Sequence, residues 1–296
     1  MHDIMHDFGL YLSGNEFLTV TEDDGSAEPE FKKSSCPSSS KVRSLLIDGN
    51  INPKLVCEVR CALWAFGGCI PQNVAVDMFG QLKLLGTLIL RGCDWDQIPE
   101  DIGKLIHLRT LDLSHNSTLK SFPETLGDLY NLRYLILEKV EGLSKLPKSI
   151  GKLVNLRYVI PEIWLRPNYL EPESLGKLIN IRSMKAHYVY FQFNNLGYLM
   201  NLNQFRGELS VHFESGYIDV ADAKQAQLRS KKHLKKLVLQ FNEVQVTDSV
   251  VKALQSPPNI EELEMLGCRT TRIPSWITIL NNLTTLTIFQ TFLQTP

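Results

Sequence analysis

Cysteine, histidine and carboxylate side chains are the groups through which this 296-residue chain could perform chemistry, and their spacing tests whether it does. Cys57, Cys61 and Cys69 can be drawn as a metal cluster, but no fourth ligand is spaced to complete a tetrahedral zinc site. With Cys36, Cys93 and Cys268 they lack the paired spacings of a disulfide framework, so all six are expected to be reduced thiols, and Cys93 and Cys268 buried ones. No nucleophile elbow, phosphate-cradling glycine loop or acid–base carboxylate pair stands in a supporting context, and the chain is expected not to be an enzyme. The basic run KKHLKK, from Lys231 to Lys236, encloses Leu234, which belongs to an apolar strand pattern, so a solvated strand edge is expected there rather than a phosphate patch. Asn116-Ser117-Thr118 and Asn282-Leu283-Thr284 match the glycosylation acceptor pattern, yet no secretory signal precedes them.

Composition narrows the partner class. A formal net charge of −1 gives no reason to expect the salt-dependent phosphate binding of a nucleic-acid protein. A chain 44% hydrophobic and 21% charged can bury a large core. No apolar run approaches the roughly 18 residues that span a bilayer. A soluble, cytoplasmic protein with no membrane span is the expectation.

The elements that must position any functional side chain come from a repeat. The phrase LRTLDLSHNSTLKSFPETLGDLYN, from Leu108 to Asn131, returns at once as LRYLILEKVEGLSKLPKSIGKLVN, from Leu132 to Asn155. Leu85, Leu108, Leu132 and Leu156 open successive copies 23 or 24 residues apart. Later copies of L-x-x-L-x-L open at Leu234, Ile260 and Leu283, and weaker ones at Ile181 and Leu202. A period of this length with this phrase is that of the leucine-rich repeat. The expected fold is therefore α/β: a leucine-rich-repeat solenoid with a curved parallel sheet on the concave face, short helices and turns on the convex face, and a short N-terminal helix.

Each L-x-L segment is a short strand whose leucines point into the stack, every one contributing roughly 1.5–3 kcal/mol on burial. Asn116 and Asn242 are placed where an amide can bond the open backbone of neighbouring turns. Pro99, Pro123, Pro147, Pro172 and Pro274 start the return turns, and Gly103, Gly127, Gly151 and Gly176 let those turns end or pack closely. The register loosens between Ile47 and Leu85, where Asn73 to Leu84 reads as helical, and between Leu202 and Leu234, where a loop or short helix near Val220–Lys232 must protrude.

The letters between the leucines tile the concave face and form columns across stacked strands. The central column reads Ile89, Asp112, Ile136, Ile160, Lys185, Val238, Glu264 and Thr287. The adjoining one contains Thr87, Thr110, Tyr134, Tyr158, Lys236 and Glu262, and Ser114 and His115 extend the face at the end of one strand. Aromatic and aliphatic residues near the middle, with charges toward one end, suit a protein partner better than a small ligand; the alternative is a merely solvated strand face.

Residues 1–12 place Met1, Ile4, Met5, Phe8, Tyr11 and Leu12 on one helical face. The polar stretch from Thr21 to Ser40 has the composition of a linker. The expected organisation is a helix over 1–20, a linker over 21–40 and a repeat domain over 41–296, cut short at its C-terminus.

The opening triplet Met1-His2-Asp3, a helix ending in DFGLYLSGNEF, and the phrases KVRSLLIDG, LRTLDLSHN, LPKSIGKLVNLRY and KKHLKKLVLQFN together resemble plant intracellular nucleotide-binding leucine-rich-repeat disease-resistance proteins, the coiled-coil class most closely. The resemblance covers nearly the whole chain. It implies that His2 and Asp3 descend from the motif that senses the phosphates of bound ADP or ATP. The phosphate-binding loop, the Mg-binding acidic motif and the coiled-coil region are absent, so no nucleotide cofactor is expected and His2 and Asp3 are expected to be vestigial. The function implied is recognition of a pathogen effector or a guarded host protein in plant defence, by a truncated receptor. The alternatives are a regulatory, autoinhibitory scaffold that binds a nucleotide-binding module supplied in trans, which the orphan face Met1, Ile4, Phe8 and Leu12 favours, and a non-functional gene fragment.

Overall fold

Leucines at alternate positions of a short strand, with a proline about ten residues further on, produce the local structure seen wherever the repeat is regular. The computed structural model describes residues 17–21, 44–48, 62–66, 70–160, 172–184, 196–213, 218–242, 244, 246–268 and 273–289. His2, Asp3, the helix expected over 1–12, nearly all of the linker, Lys185 and the HYVYFQF stretch from His187 lie outside the described residues. The chain divides into two compact units, Met1–Glu162 and Ile163–Pro296.

In the first unit β1 (Phe17–Thr21), β2 (Ser44–Asp48), β3 (Ala62–Phe66), β4 (Thr87–Arg91), β5 (Thr110–Asp112), β6 (Tyr134–Ile136) and β7 (Tyr158–Ile160) pair in chain order, all parallel. The register sets Leu88, Leu111, Leu135 and Val159 side by side, each at most 1% exposed, and this row is the core of the sheet. Helix α1 (Gln72–Gln81) buries Ala75, Met78 and Phe79 and occupies the irregular interval after β3. Strand β1 lies across the expected boundary between helix remnant and linker. Its Leu18 and Val20 pair in register with Leu45 and Ile47, but Asn15 stands three residues before Leu18 where the phrase has a leucine, which hid this rung from the pattern.

The return segments of this unit after Pro99, Pro123 and Pro147 are 3-10 turns. Glu100–Lys104, Glu124–Asp128 and Lys148–Lys152 follow Pro99, Pro123 and Pro147, and the N–H groups of Ile102, Leu126 and Ile150 donate to those prolines' carbonyls at 3.1 Å. Proline pre-sets φ and has no N–H to lose at a helix start, and a five-residue return is short enough to accept the tighter winding. Gly127 does not terminate its turn. It lets the next turn approach, since a Cβ there would stand 2.5 Å from Ser149 Cβ and 2.6 Å from Ser149 O.

The second unit contains α2 (Pro172–Leu175), β8 (Ser183–Met184), β9 (Gly207–Phe213), α3 (Val220–Gln225), β10 (Leu234–Phe241), α4 (Asp248–Ala253), β11 (Glu262–Leu266) and β12 (Thr285–Phe289). Strands β9 to β12 form a parallel sheet in chain order. Leu209, Leu237 and Leu263 share one register row of its core, and Val211, Leu239 and Met265 another, all at most 2% exposed. The long spacing before Leu234 is absorbed by α3 and a 3-10 turn at Leu228–Ser230, as expected. Asp219 caps α3 by accepting from Asp222 N at 2.7 Å, and Thr247 caps α4 by accepting from Val250 N at 3.3 Å.

Two structural expectations fail in this unit. Asn242 accepts from Gln240 Nε2 at 3.0 Å, and among the described residues its side chain bonds no neighbouring turn. Lys231 is not on a solvated edge: it is 0% exposed and its Nζ donates to the Leu199 carbonyl at 2.6 Å. Its position precedes the leucine row by three residues, and the turn at Leu228–Ser230 swings it inward.

Candidate functional site

The strands bring the predicted columns together. In the first unit Thr87, Thr110, Tyr134 and Tyr158 are register partners in turn, as are Ile89, Asp112, Ile136 and Ile160. In the second, Lys236 pairs with Glu262, and Val238 with Glu264 and then Thr287. Parallel pairing at about 4.8 Å is what converts a 24-residue period into a surface pattern.

The chemistry of the first unit's face is aromatic and aliphatic. Tyr134, 39% exposed, stacks on half-buried Tyr158 with ring centroids 5.1 Å apart and an interplanar angle of 5°. Half-buried Ile136 and Ile160 lie in the next column, with Ile89 only 8% exposed at its margin. Thr110 is half-exposed. His115 is exposed at the strand's end, with φ 63° in the left-handed region.

Asp112 corrects the expected column. It is 1% exposed, and one carboxylate oxygen accepts from Arg91 Nε at 2.9 Å and Nη2 at 2.5 Å. The other accepts from Ser114 N at 2.9 Å and Ser114 Oγ at 2.6 Å. A buried carboxylate must be paired and hydrogen-bonded, and these four bonds leave it no capacity for a partner. Ser114, also expected on the face, is buried as part of the same cluster. The letter D at that position could not reveal this, because Arg91 comes from a strand 21 residues upstream.

On the second unit the centre of the face is Lys236. Its Nζ lies 2.8 Å from Glu264, 3.7 Å from Glu262 and 3.9 Å from Glu208. The Glu264 hydrogen bond leads in raising the Lys236 pKa, against partial burial, with the charges of all three glutamates adding to it. Glu264 is thus already engaged. Val238 is 6% exposed, and Thr287 is half-exposed.

Beneath the faces sits a hydrogen-bond ladder. Asn116 Oδ1 accepts from Cys93 N at 2.7 Å, while its Nδ2 donates to the carbonyls of Leu90 at 2.7 Å and Leu113 at 2.8 Å, as the repeat pattern predicted. Cys93 and Cys268 are buried. A second ladder escaped the sequence reading: Asn131 Nδ2 donates to Ile106 O and Asn155 Nδ2 to Tyr130 O, each at 2.8 Å and each one repeat back. The signal was the asparagine before the opening leucine of those two copies. Among the described residues no group of His, Cys, Asp and Glu could hold a metal ion, and no helix is long and apolar enough to cross a membrane.

A profile of the family described as "Leucine-rich repeat region" matches residues 58–295. No curated protein sequence matches the chain significantly. Similar solved structures include a Leptospira interrogans leucine-rich-repeat protein (16% identity, TM-score 0.42, 83% of this chain and 78% of that one) and internalin C2 of Listeria monocytogenes (16%, 0.41, 80% and 84%). Another is the ectodomain of the Arabidopsis thaliana membrane receptor kinase GASSHO1/SCHENGEN3 in complex with CASPARIAN STRIP INTEGRITY FACTOR 2 (17%, 0.48). The match to it covers 83% of this chain but only 34% of that one.

Proposed function

The chain belongs to the leucine-rich repeat region family, and from that premise we propose that it is a non-enzymatic protein-recognition module whose first-unit strand face takes a protein partner. The observation that carries the reading is the Tyr134–Tyr158 stack, part-exposed beside Ile136 and Ile160. Large, rigid aromatic surface with few rotatable bonds is what protein interfaces concentrate at their centres. The setting is plant defence in the cytoplasm, and the partner is a pathogen effector or a guarded host protein. That assignment rests on the sequence phrases shared with resistance-type receptors.

The experiment is retention of interacting proteins from challenged plant tissue on the immobilised full chain. A protein held by the wild type and by a Lys104→Ala variant on a return turn, but lost by Tyr134→Ala/Tyr158→Ala, supports the reading. Equal retention by all three overturns the face assignment. A nucleotide-binding module held by the wild type but released on deletion of residues 1–12 would favour the scaffold reading instead.

A further inference from the structure

Three arginines occupy one register position on successive strands of the first unit. Arg109, Arg133 and Arg157 each stand one residue before the paired positions Thr110, Tyr134 and Tyr158. The Arg133 N–H donates to Arg109 O at 2.8 Å and the Arg157 N–H to Arg133 O at 2.9 Å. The three residues are therefore stacked directly, about 4.8 Å apart. Arg109 is exposed and the other two half-exposed, and none of the three side chains has a carboxylate partner among the described residues.

The second unit shows how the same fold treats this position. Lys235 and Glu261, the equivalent residues on β10 and β11, have the same backbone bond, Glu261 N–H to Lys235 O at 2.8 Å, and their side chains form an ion pair. Opposite charges on adjacent strands are mutually favourable, and like charges directly opposite one another are not. The first unit stacks three like charges where an internal neighbour could neutralise them.

A second column runs along the same strand-entry side. Ile106, Tyr130 and Val154 each precede an arginine by three residues and are 36%, 48% and 44% exposed. The Asn131 and Asn155 amides hold the backbone of this column by bonding Ile106 O and Tyr130 O. An apolar column thus runs beside a cationic one on a backbone pinned between repeats.

We propose that this edge binds a segment of a partner protein in which acidic side chains alternate with apolar ones. The carboxylates take the guanidinium forks of Arg109, Arg133 and Arg157, and the apolar side chains cover Ile106, Tyr130 and Val154. The proposal rests on the protein-recognition reading above and supplies the partner's chemistry. A nucleic acid would satisfy the arginines but gains little from the aliphatic members of the second column.

The test is fluorescence anisotropy of the full chain with a short labelled peptide of glutamate and leucine, in parallel with a glutamate-only peptide and with oligothymidylate. The expected order is glutamate–leucine tightest, with affinity falling as salt rises. Arg109→Gln/Arg133→Gln/Arg157→Gln should weaken it about tenfold or more, and Ile106→Ser/Tyr130→Ser several-fold. A circular-dichroism melt confirms that each variant is folded, and Arg133→Glu alone serves if the triple variant is not. Unchanged affinity in the arginine variants overturns the proposal, as does oligothymidylate binding more tightly than the peptide and being lost in the same variants. A tissue protein still retained by the arginine triple variant but lost by Tyr134→Ala/Tyr158→Ala would overturn this edge while leaving the strand-face reading standing, which separates the two failures.

Discussion

Lys231 Nζ donates to the Leu199 carbonyl oxygen at 2.6 Å from a site with no solvent exposure. Burial lowers its pKa from 10.5 to about 8. Below pH 8 both the folded and unfolded chains carry the proton, so the folded state bears the full desolvation cost. Between about 8 and 10.5 the unfolded chain binds more protons, and stability rises with pH. At about 1.36 kcal/mol per unit the ceiling is roughly 3 kcal/mol. Lys231→Met should therefore stabilise the chain at neutral pH by about 1–3 kcal/mol, because Leu199 O keeps its bond from Leu202 N at 3.0 Å. Urea unfolding at pH 7 and pH 9.5 should show the difference between the two proteins shrinking at the higher pH; a constant difference would refute the titration.

Asn116→Ala removes the acceptor of the Cys93 N–H and the donor to Leu90 O and Leu113 O, all in the buried ladder. A loss of about 2–4 kcal/mol in unfolding free energy is expected. Asn242→Ala, which among the described residues breaks a single side-chain bond, that with Gln240, should cost less than about 1 kcal/mol in the same measurement.

Gly127→Ala and Gly80→Ala should move stability in opposite directions. At Gly127 the added methyl meets Ser149 at 2.5 Å, and a cost of about 1–3 kcal/mol follows from overpacking. At Gly80, inside α1, nothing lies within 4 Å, and replacing glycine in a helix should gain up to about 1 kcal/mol. Paired thermal melts read the contrast directly.

Arg91→Leu leaves the Asp112 carboxylate buried with only Ser114 as partner, at a cost of about 2–4 kcal/mol. The double variant Arg91→Leu/Asp112→Leu should be less destabilised than Arg91→Leu alone, because no uncompensated charge remains. A double-mutant cycle that shows additive losses would rule out the pairing as the reason for Asp112's burial.

The repeat made much of this legible in advance. Register columns such as Thr110, Tyr134 and Tyr158 follow once equal spacing is granted, because parallel pairing maps each repeat position onto its equivalent. The Asn116 ladder follows for the same reason, although the same letter in the same slot at Asn242 bonds Gln240 on its own segment. Strand β1 was missed because its first leucine is replaced by Asn15. Lys231 was missed because a basic run is ordinarily solvated, and only the turn before β10 shows that its first member faces inward.

By itself the sequence determined the period, the core rows of leucine and the residues that fill each surface column, because those depend on spacing along one chain. Tertiary structure alone decided which of those residues are available. Asp112 and Glu264 each occupy a predicted column, yet each is held by a cation from a neighbouring strand, Arg91 and Lys236. Arg109, Arg133 and Arg157 drew no notice as letters and emerge as a stack without a carboxylate partner among the described residues only when the strands are laid side by side. Whether a charge is spent or open depends on what the adjacent repeat places within a few ångströms, and that distance is set by the fold.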